Sequence, residues 1–362
     1  MIDAAFLLSE FCRRYDLKVP LIVRNPFGQA PVGIDYVGQD PFDGRVARMR
    51  IKRYARFGNN LYQMVNAFMI ARRLGVTELE IPPLDGGPES VPTEIDGITL
   101  LAEEPSGALK PVLVGSFYAP LGFEPCVAIV TPESVLDALR RFIIPLYAPL
   151  LLRSGSLGNN VLAVHMRGGD IFFEGGSHRA YIQPPVAYYL RAVDFAVSRL
   201  GIDFVHLVFE DRTNPAVDAV EQALSARGIA YATQSASLIE DMASLVSAHH
   251  IVAGHGTFCE AAALLSPCVE SYFAFRSISS QTQIPAWSQA QFEATLRAKG
   301  VRTVRIDDPA GDFIAPGTWI NSEEQRQQIL NFPRSSLRLM IRMPPEPAMA
   351  VSGVRNLKNK IN

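Results

Sequence analysis

His165 and Arg167 stand two residues apart in the stretch VLAVHMRGGD, and two glycines and Asp170 follow them. In an extended chain that spacing points both side chains to one face. The glycines let the backbone turn sharply and bring Asp170 beside the strand end. A guanidinium fixed at the carboxyl end of a buried strand suits an anion, because ligands of open α/β sheets gather there. A second set runs Gly254-His255-Gly256-Thr257-Phe258-Cys259-Glu260. Thr257 and Glu260 have the spacing of a capping box, and the glycines would leave the amides of the turn open to a phosphate. An ordinary capped helix accounts for the same letters. A third set, Arg56-Phe57-Gly58-Asn59-Asn60, is a polar loop at the head of an apolar-periodic run.

Carboxylates complete the chemistry. Glu210-Asp211 closes an apolar run, and Asp241 lies early in a helical segment. Either could accept hydrogen bonds from a base or a ribose, although a charge near a helix N-terminus explains Asp241 equally well. Asp170 and Glu174 are the carboxylates nearest Arg167 in sequence, and so the candidates for taking a proton from an attacking hydroxyl. Asp170 serves equally as a group that merely orients His165 or Arg167.

The elements that must position these residues follow one grammar twice. Residues 45–54 read as a strand, the loop at 55–60 follows, and Leu61, Met64, Val65, Phe68, Ala71 and Leu74 recur at helical spacing up to Gly75. Residues 79–81 read as the next strand. From Val161 the alternation restarts, with strands at 161–166, 204–209, 229–231 and 250–253 separated by helices. Pro184-Pro185 suits the first turn of one helix, and Gly254-His255-Gly256 turns into another at 258–265. Residues 334–343 read as a terminal helix. Alternating strands and helices imply parallel sheets with right-handed crossovers. The chain is therefore divided into a Rossmann-like domain at 1–155, a second at 156–320 and a tail at 321–362.

Composition narrows the function. The 362 residues are 48% apolar, enough for two cores, and the formal charge of −2 speaks against nucleic acid as partner. The cysteines (Cys12, Cys126, Cys259, Cys268) show no paired close spacing and read as free thiols, their even number leaving a disulfide open. His249, His250, His255 and Cys259 lack the spacing of a structural zinc site. Neither a complete GxGxxG fingerprint, nor GxxxxGK[ST], nor a GxSxG elbow is present. The start of the chain lacks the apolar core of a secretory signal, and the greasiest run, 142–152, is too short to span a bilayer. The expectation is a soluble, cytoplasmic protein, with peripheral membrane association left open.

Together the three sets resemble the GDP-fucose-dependent fucosyltransferase superfamily. Arg56-Phe57-Gly58-Asn59-Asn60 with Gln63 is similar to its amino-terminal RFGNQ-type loop, with Asn60 in the usual glutamine's place. His165 to Asp170 resembles its H-x-R-x-x-D signature. Residues 241–258, DMASLVSAHHIVAGHGTF, are similar to its acidic, helical and Ser/Thr-turn block. The tryptophan-rich continuation of the α1,2 enzymes is replaced by Cys259-Glu260-Ala261. The resemblance implies a GT-B architecture, two Rossmann-type domains facing a central cleft, with 1–155 the acceptor side and 156–320 the nucleotide-sugar side. It also implies an inverting transfer of fucose from GDP-fucose to a glycan hydroxyl without metal or other cofactor. Arg167 would meet the departing diphosphate, assisted by His165, Asn59 and Arg56. His255, Gly256, Thr257 and Phe258 would line the phosphates, Phe57, Gly58, Asn60 and Gln63 the opposite wall, and Glu210, Asp211 and Asp241 the guanosine. A GT-B transferase with another nucleotide-sugar donor, or a silent sugar-nucleotide or glycan binder on the same fold, are the alternatives.

Overall fold

The computed structural model describes residues 34–37, 48–53, 56–88, 93–102, 112–115, 117, 131–173, 182–277, 289–315 and 317–345. The chain is mixed α/β and is built on two mostly parallel sheets. The first contains β1 (Ile34–Val37), β2 (Arg48–Ile51), β3 (Glu78–Ile81), β4 (Thr93–Ile95), β5 (Ile98–Ala102) and β6 (Val112–Gly115). Their order is β1-β6-β2-β3-β5-β4, with the inner four parallel and both edges antiparallel. The second contains β7 (Val161–Met166), β8 (Phe204–Phe209), β9 (Ala230–Gln234), β10 (His250–Val252), β11 (Ser271–Ser277), β12 (Arg302–Asp308) and β13 (Arg338–Arg342). Its order is β13-β12-β11-β10-β7-β8-β9, parallel throughout except for β13.

The strand order of each sheet reverses direction once. In the second, the chain builds outward from β7 to β9, then crosses back and builds the other way from β10. The reversal leaves a crevice beyond the carboxyl ends of β7 and β10, the place where ligands of such sheets bind. In the first sheet the same reversal falls between β2 and β6. His165-Arg167 and Gly254-Gly256 therefore meet at the crevice because the topology puts them there.

The helices are α1 (Phe57–Leu74), α2 (Pro132–Ala138), α3 (Ala148–Arg153), α4 (Val186–Leu200), α5 (Ala216–Ala226), α6 (Leu238–Val246), α7 (Thr257–Leu265), α8 (Gln289–Ala298) and α9 (Glu323–Asn331). Between α2 and α3 the helix widens into a π turn, Leu139–Ile143, just ahead of Pro145, which has no N–H to donate. The central strands β7, β8 and β10 are mainly apolar on both faces, as strands covered on both sides must be. By contrast β2 and β3 alternate, and pair Arg48 and Arg50 with Glu78 and Glu80 on one face. Leu162, Val164 and Met166 of β7 face α4 and α5, whereas Ala163 faces the opposite core, which contains α6, α7 and α8. That second core is continuous with α1 and α2, so the two sheet units share it.

Two boundaries differ from the sequence reading. The polar loop at 56–60 is already helix, because α1 starts at Phe57 and runs to a left-handed Gly75. Residues 338–342 form β13 rather than the expected terminal helix. Arg338, Met340 and Arg342 alternate with Leu339 and Ile341 at a period of two, and the edge of β12 offers the partner. The second sheet thus extends beyond residue 320, and 323–331 packs on its helical layer as α9. Among the described residues no helix is long and apolar enough to cross a membrane.

Candidate anion-binding site

Two helices begin side by side at the crevice. The Thr257 hydroxyl donates to Asn59 Oδ1 at 2.6 Å, and the Tyr62 hydroxyl donates to Glu260 Oε2 at 2.5 Å. Contacts advance together along α1 and α7, so the helices run parallel and present their N-termini at one spot. Their approach is closest at Gly58, where an added Cβ would lie 2.4 Å from the Thr257 carbonyl oxygen. Neither helix start is capped by a side chain: Arg56 and Gly256 hold the cap positions, and α1 has no acidic residue in its first turn. The leading amides of each helix have no partner within it, and each macrodipole places roughly half a positive charge at that end. Two such ends side by side form an anion cradle.

Guanidiniums supply the rest of the positive charge. Arg167 follows β7 and is mostly buried, with Nη2 at 3.3 Å from Asp170 Oδ1. Gly256 lies against it at φ 113°, a conformation that disfavours other residues, and a Cβ there would stand 3.0 Å from Arg167 Nη1. Arg56 reaches across from the first unit to Glu210 Oε1 at 2.9 Å and to Asp170 Oδ1 at 3.6 Å. The two carboxylates thus hold both guanidiniums at the mouth of the cradle.

Several expected roles change. His165 is buried against the Phe258 ring, 5.3 Å between centroids, and burial together with Arg167 lowers it to about 3. It is a neutral wall of the turn and not an acid or base at ordinary pH. Thr257 does not cap its own helix with Glu260; its hydroxyl proton goes to Asn59, and only its amide is left to face a ligand. Asp211 supports the Gly168-Gly169 turn. Its oxygens accept from the Gly169 amide at 3.1 Å, the Thr213 amide at 2.9 Å and the Thr213 hydroxyl. Burial raises its carboxyl, but those donors outweigh burial and hold it below the ordinary value. Gln63 is fully buried and ties the strand ends of the first sheet, donating to the Lys52 carbonyl at 2.9 Å and accepting from the Phe117 amide at 3.0 Å. Phe57 is a core residue, 5.2 Å from Tyr147 and 6.3 Å from Phe258 between ring centroids, and Asn60 is buried behind it.

Asp241 sits in a separate network. Gln234 Nε2 donates to it at 2.7 Å, Gln234 Oε1 accepts from Ser244 at 2.9 Å, and burial raises the Asp241 carboxyl. Its helix start is capped by Ser237 and Glu240, so the residue is not needed as a cap. Arg167, Asp170, Arg56, Asn59, Glu210, Gly256 and Thr257 are therefore brought together, with the exposed His255 beside them. Glu174 lies outside the described residues.

Sequence reasoning passed over three supports and gave a fourth, Glu260, another role. Asn214 donates to the Arg167 carbonyl at 2.9 Å and accepts from the Ala216 amide, an Asx-type turn that the run Asp211-Arg212-Thr213-Asn214 signals. Tyr188 places its hydroxyl 2.9 Å and 3.0 Å from the Ala253 and Phe273 carbonyls, anchoring the end of β10. Tyr62 and Glu260 bind α1 to α7, and burial raises the Glu260 carboxyl to about 7. No local pattern marks the two tyrosines, and the capping-box spacing of Glu260 points to the wrong partner.

Among the described residues no group of three or more His, Cys, Asp or Glu side chains gathers as a metal site. Cys259 and Cys268 are free thiols, and Cys12 and Cys126 lie outside the described residues. No family model matches the chain, and no curated protein matches it.

Proposed function

We propose that the protein is a glycosyltransferase that holds the diphosphate of a nucleotide sugar in the cradle between α1 and α7. GDP-fucose is the donor favoured by the resemblance of the RFGNN, HMRGGD and GHGTF segments, and a glycan hydroxyl is the acceptor. The arrangement of the units is read as GT-B, with the cleft between them. In the reaction the acceptor oxygen attacks the anomeric carbon from the face opposite the phosphate. The sugar–phosphate bond breaks, its electron pair leaves on the diphosphate oxygen, and the configuration inverts. Arg167 meets the new charge with a planar fork, and the leading amides of both helices add donors. Arg56 swings from Glu210 and Asp170 onto the same phosphates. The hydroxyl proton passes to a carboxylate, for which Asp170 at the cradle mouth is the described candidate and Glu174 the other.

The convergence of two uncapped helix starts on Arg167 carries this reading. A fixed point of that kind favours charge that appears during the reaction, because its dipoles need no reorganisation. The decisive experiment is a thermal-shift and calorimetry panel of GDP, UDP, CDP and their sugars, with and without magnesium. The reading expects a GDP response without magnesium, lost in Arg167→Ala. Indifference to GDP and GDP-fucose would sink the fucosyl donor, and a UDP or CDP response would transfer the reading to another nucleotide sugar. Binding with neither donor hydrolysis nor transfer would leave a silent sugar-nucleotide binder.

A further inference from the structure

The registers of the second sheet carry the cradle level across to its far edge. Val164 pairs with Val252, Val252 with Phe273, and Arg276 with Asp307, while Asp307 pairs with Arg338. Arg167 and Arg276 each lie three residues beyond that level, at the carboxyl ends of β7 and β11, and Asp307 and Arg338 continue the level of Arg276. Partnered residues of a sheet share a face, and this is the face that bears Ala163, Ile251 and Tyr272, against α1, α7 and α8. Arg276 lies two strands from Arg167, about 10 Å at the usual strand spacing.

Around that level the charge is unbalanced. Arg305 and Arg342 stand on the same face, and Glu293 and Arg297 project from α8. Among the described residues this gives five guanidiniums, at 276, 297, 305, 338 and 342, for two carboxylates, Glu293 and Asp307. Arg305 gives its fork to Asp307, with Nη2 at 2.8 Å from Oδ2. Glu293 is otherwise placed. Its side chain is 4% exposed, and Arg342, Arg305 and Arg297 stand 3.7, 3.8 and 4.0 Å away, in ion-pair range but beyond hydrogen bonding. Its Oε1 and the Arg297 Nη1 are buried without a hydrogen-bond partner. Burial keeps the Glu293 carboxyl raised even so, with Arg305, Arg342, Arg276 and Arg297 all pulling it down. A network serving only structure closes such gaps, because unpaired buried polar atoms are costly. Here Arg305, Arg297 and Arg342 converge on a buried carboxylate, and Arg342, 46% exposed, opens the group to solvent.

We propose that Arg276, Arg338 and Arg342 form a second anion subsite, one that takes a carboxylate or phosphate group of the acceptor. It rests on the transferase reading for the word acceptor, but not for the anion. Arg276 and Arg338 mark the subsite's end nearest the leaving diphosphate, and Arg342, opposite Thr303, marks its far end on the same face. Arg305, locked on Asp307, and Arg297, beside Glu293, supply field without giving up their partners.

The test uses the full chain with three probes: glucuronate, glucose 1-phosphate and neutral glucose, each read by calorimetry with GDP present. Wild type is expected to bind one or both anionic sugars and to ignore glucose. Glucuronate and glucose 1-phosphate separate a carboxylate from a phosphate preference. In Arg342→Gln the anionic sugar should bind about tenfold or more weakly, as the loss of one charge-assisted hydrogen bond implies. Arg342 is half-exposed on an edge strand but stands 3.7 Å from the buried Glu293, so a melting curve of each variant accompanies the titration; Arg276→Gln should repeat the loss. Arg167→Ala should keep the response. Equal binding of neutral and anionic sugars, or loss of anion binding in Arg167→Ala alone, overturns the subsite. A wild type that answers glucuronate or glucose 1-phosphate but not GDP sinks the nucleotide reading and leaves the subsite standing.

Discussion

Gly58→Ala is the sharpest test of the helix pair. Within α1 the change should stabilise, since alanine exceeds glycine in helix propensity by up to ~1 kcal/mol. Against that, the new Cβ would meet the Thr257 carbonyl oxygen at 2.4 Å and its hydroxyl oxygen at 2.6 Å. Ordinary carbon contacts lie near 3.5 Å, so the backbone at the head of α7 must retreat by about 1 Å. That backbone is the first turn of a helix anchored by its own core, and it does not yield as the tip of a flexible side chain would. Overpacking of this kind costs ~1–3 kcal/mol, which outweighs the propensity gain and leaves a net loss of ~1–2 kcal/mol. The same shift splays the two helix starts, and the loss of one charge-assisted hydrogen bond weakens anion binding roughly ten- to a hundredfold. Urea unfolding followed by circular dichroism reads the first effect, and calorimetry with GDP or pyrophosphate reads the second. Gly75→Ala serves as the control on the same helix. It has open space around its Cβ position and φ 68°, so it should cost ~1 kcal/mol of strain and leave anion binding alone. A Gly58→Ala protein as stable as the parent, with unchanged affinity, would refute the contact between the helices.

Four further outcomes follow from single contacts. Arg167→Ala should weaken GDP binding by ~3 kcal/mol, about 150-fold in calorimetry, and Arg167→Lys by about tenfold, since the charge stays and the fork goes. Lys299→Met should cost ~2–4 kcal/mol of stability, read as a lower urea midpoint at unchanged slope. The Lys299 ammonium donates to the carbonyls of Ala263, Leu264 and Ser266 at 2.8, 2.8 and 2.6 Å, and the variant leaves that helix end unpaired. Glu260 binds its proton more tightly folded than unfolded, because burial lifts it from 4.5 to about 7. Its contribution is therefore full below pH 4.5, falls between about pH 4.5 and 7 and is level above; Glu260→Gln, which keeps the Tyr62 partner, should flatten that stretch of the stability–pH curve. Gln63→Leu should destabilise by ~1–3 kcal/mol in the same assay, because it strands the Lys52 carbonyl and the Phe117 amide.

What the sequence disclosed and what it hid divide along the range of the interaction. β7 and its turn are legible in VLAVHMRGGD, because an apolar run, a period of two and paired glycines are all local signals. The helical run to Gly75 and the strand-turn-helix around Gly254 are legible for the same reason. The capping box was misleading: Thr257 and Glu260 have the right spacing, yet their partners, Asn59 and Tyr62, come from the other unit and win. Gln63 looks like a ligand-facing residue because the resemblance groups it with the RFGNN segment. Its true partners are backbone groups at the ends of β2 and β6, which no window around residue 63 contains. β13 was hidden by its own brevity, since five residues with basic alternation become a strand only when the edge of β12 is beside them.

The positive charge at the cradle is a property of the packing between units, and this decides how binding must behave. α1 belongs to the first sheet and α7 to the second, and their N-termini coincide only while Gly58 lies on Thr257 and Tyr62 on Glu260. Phe57, Phe258 and His165 fill the space behind, ring against ring, so the alignment rests on buried side chains rather than on the ligand. At the far end of α7 the Lys299 ammonium satisfies the last carbonyls, and at the amino-terminal end Glu260 is engaged by Tyr62 rather than by the leading amides. An anion arriving there orders little that is not already ordered, so most of its interaction energy is kept as affinity. By linkage, what splays the helices must also lower that affinity, and a bound diphosphate must oppose the splaying by RT ln(1 + [L]/Kd), about 2.7 kcal/mol at a hundredfold excess over Kd. The interface and the anion site are therefore one thermodynamic unit, and a variant such as Gly58→Ala should be rescued in stability by ligand to the extent that it still binds.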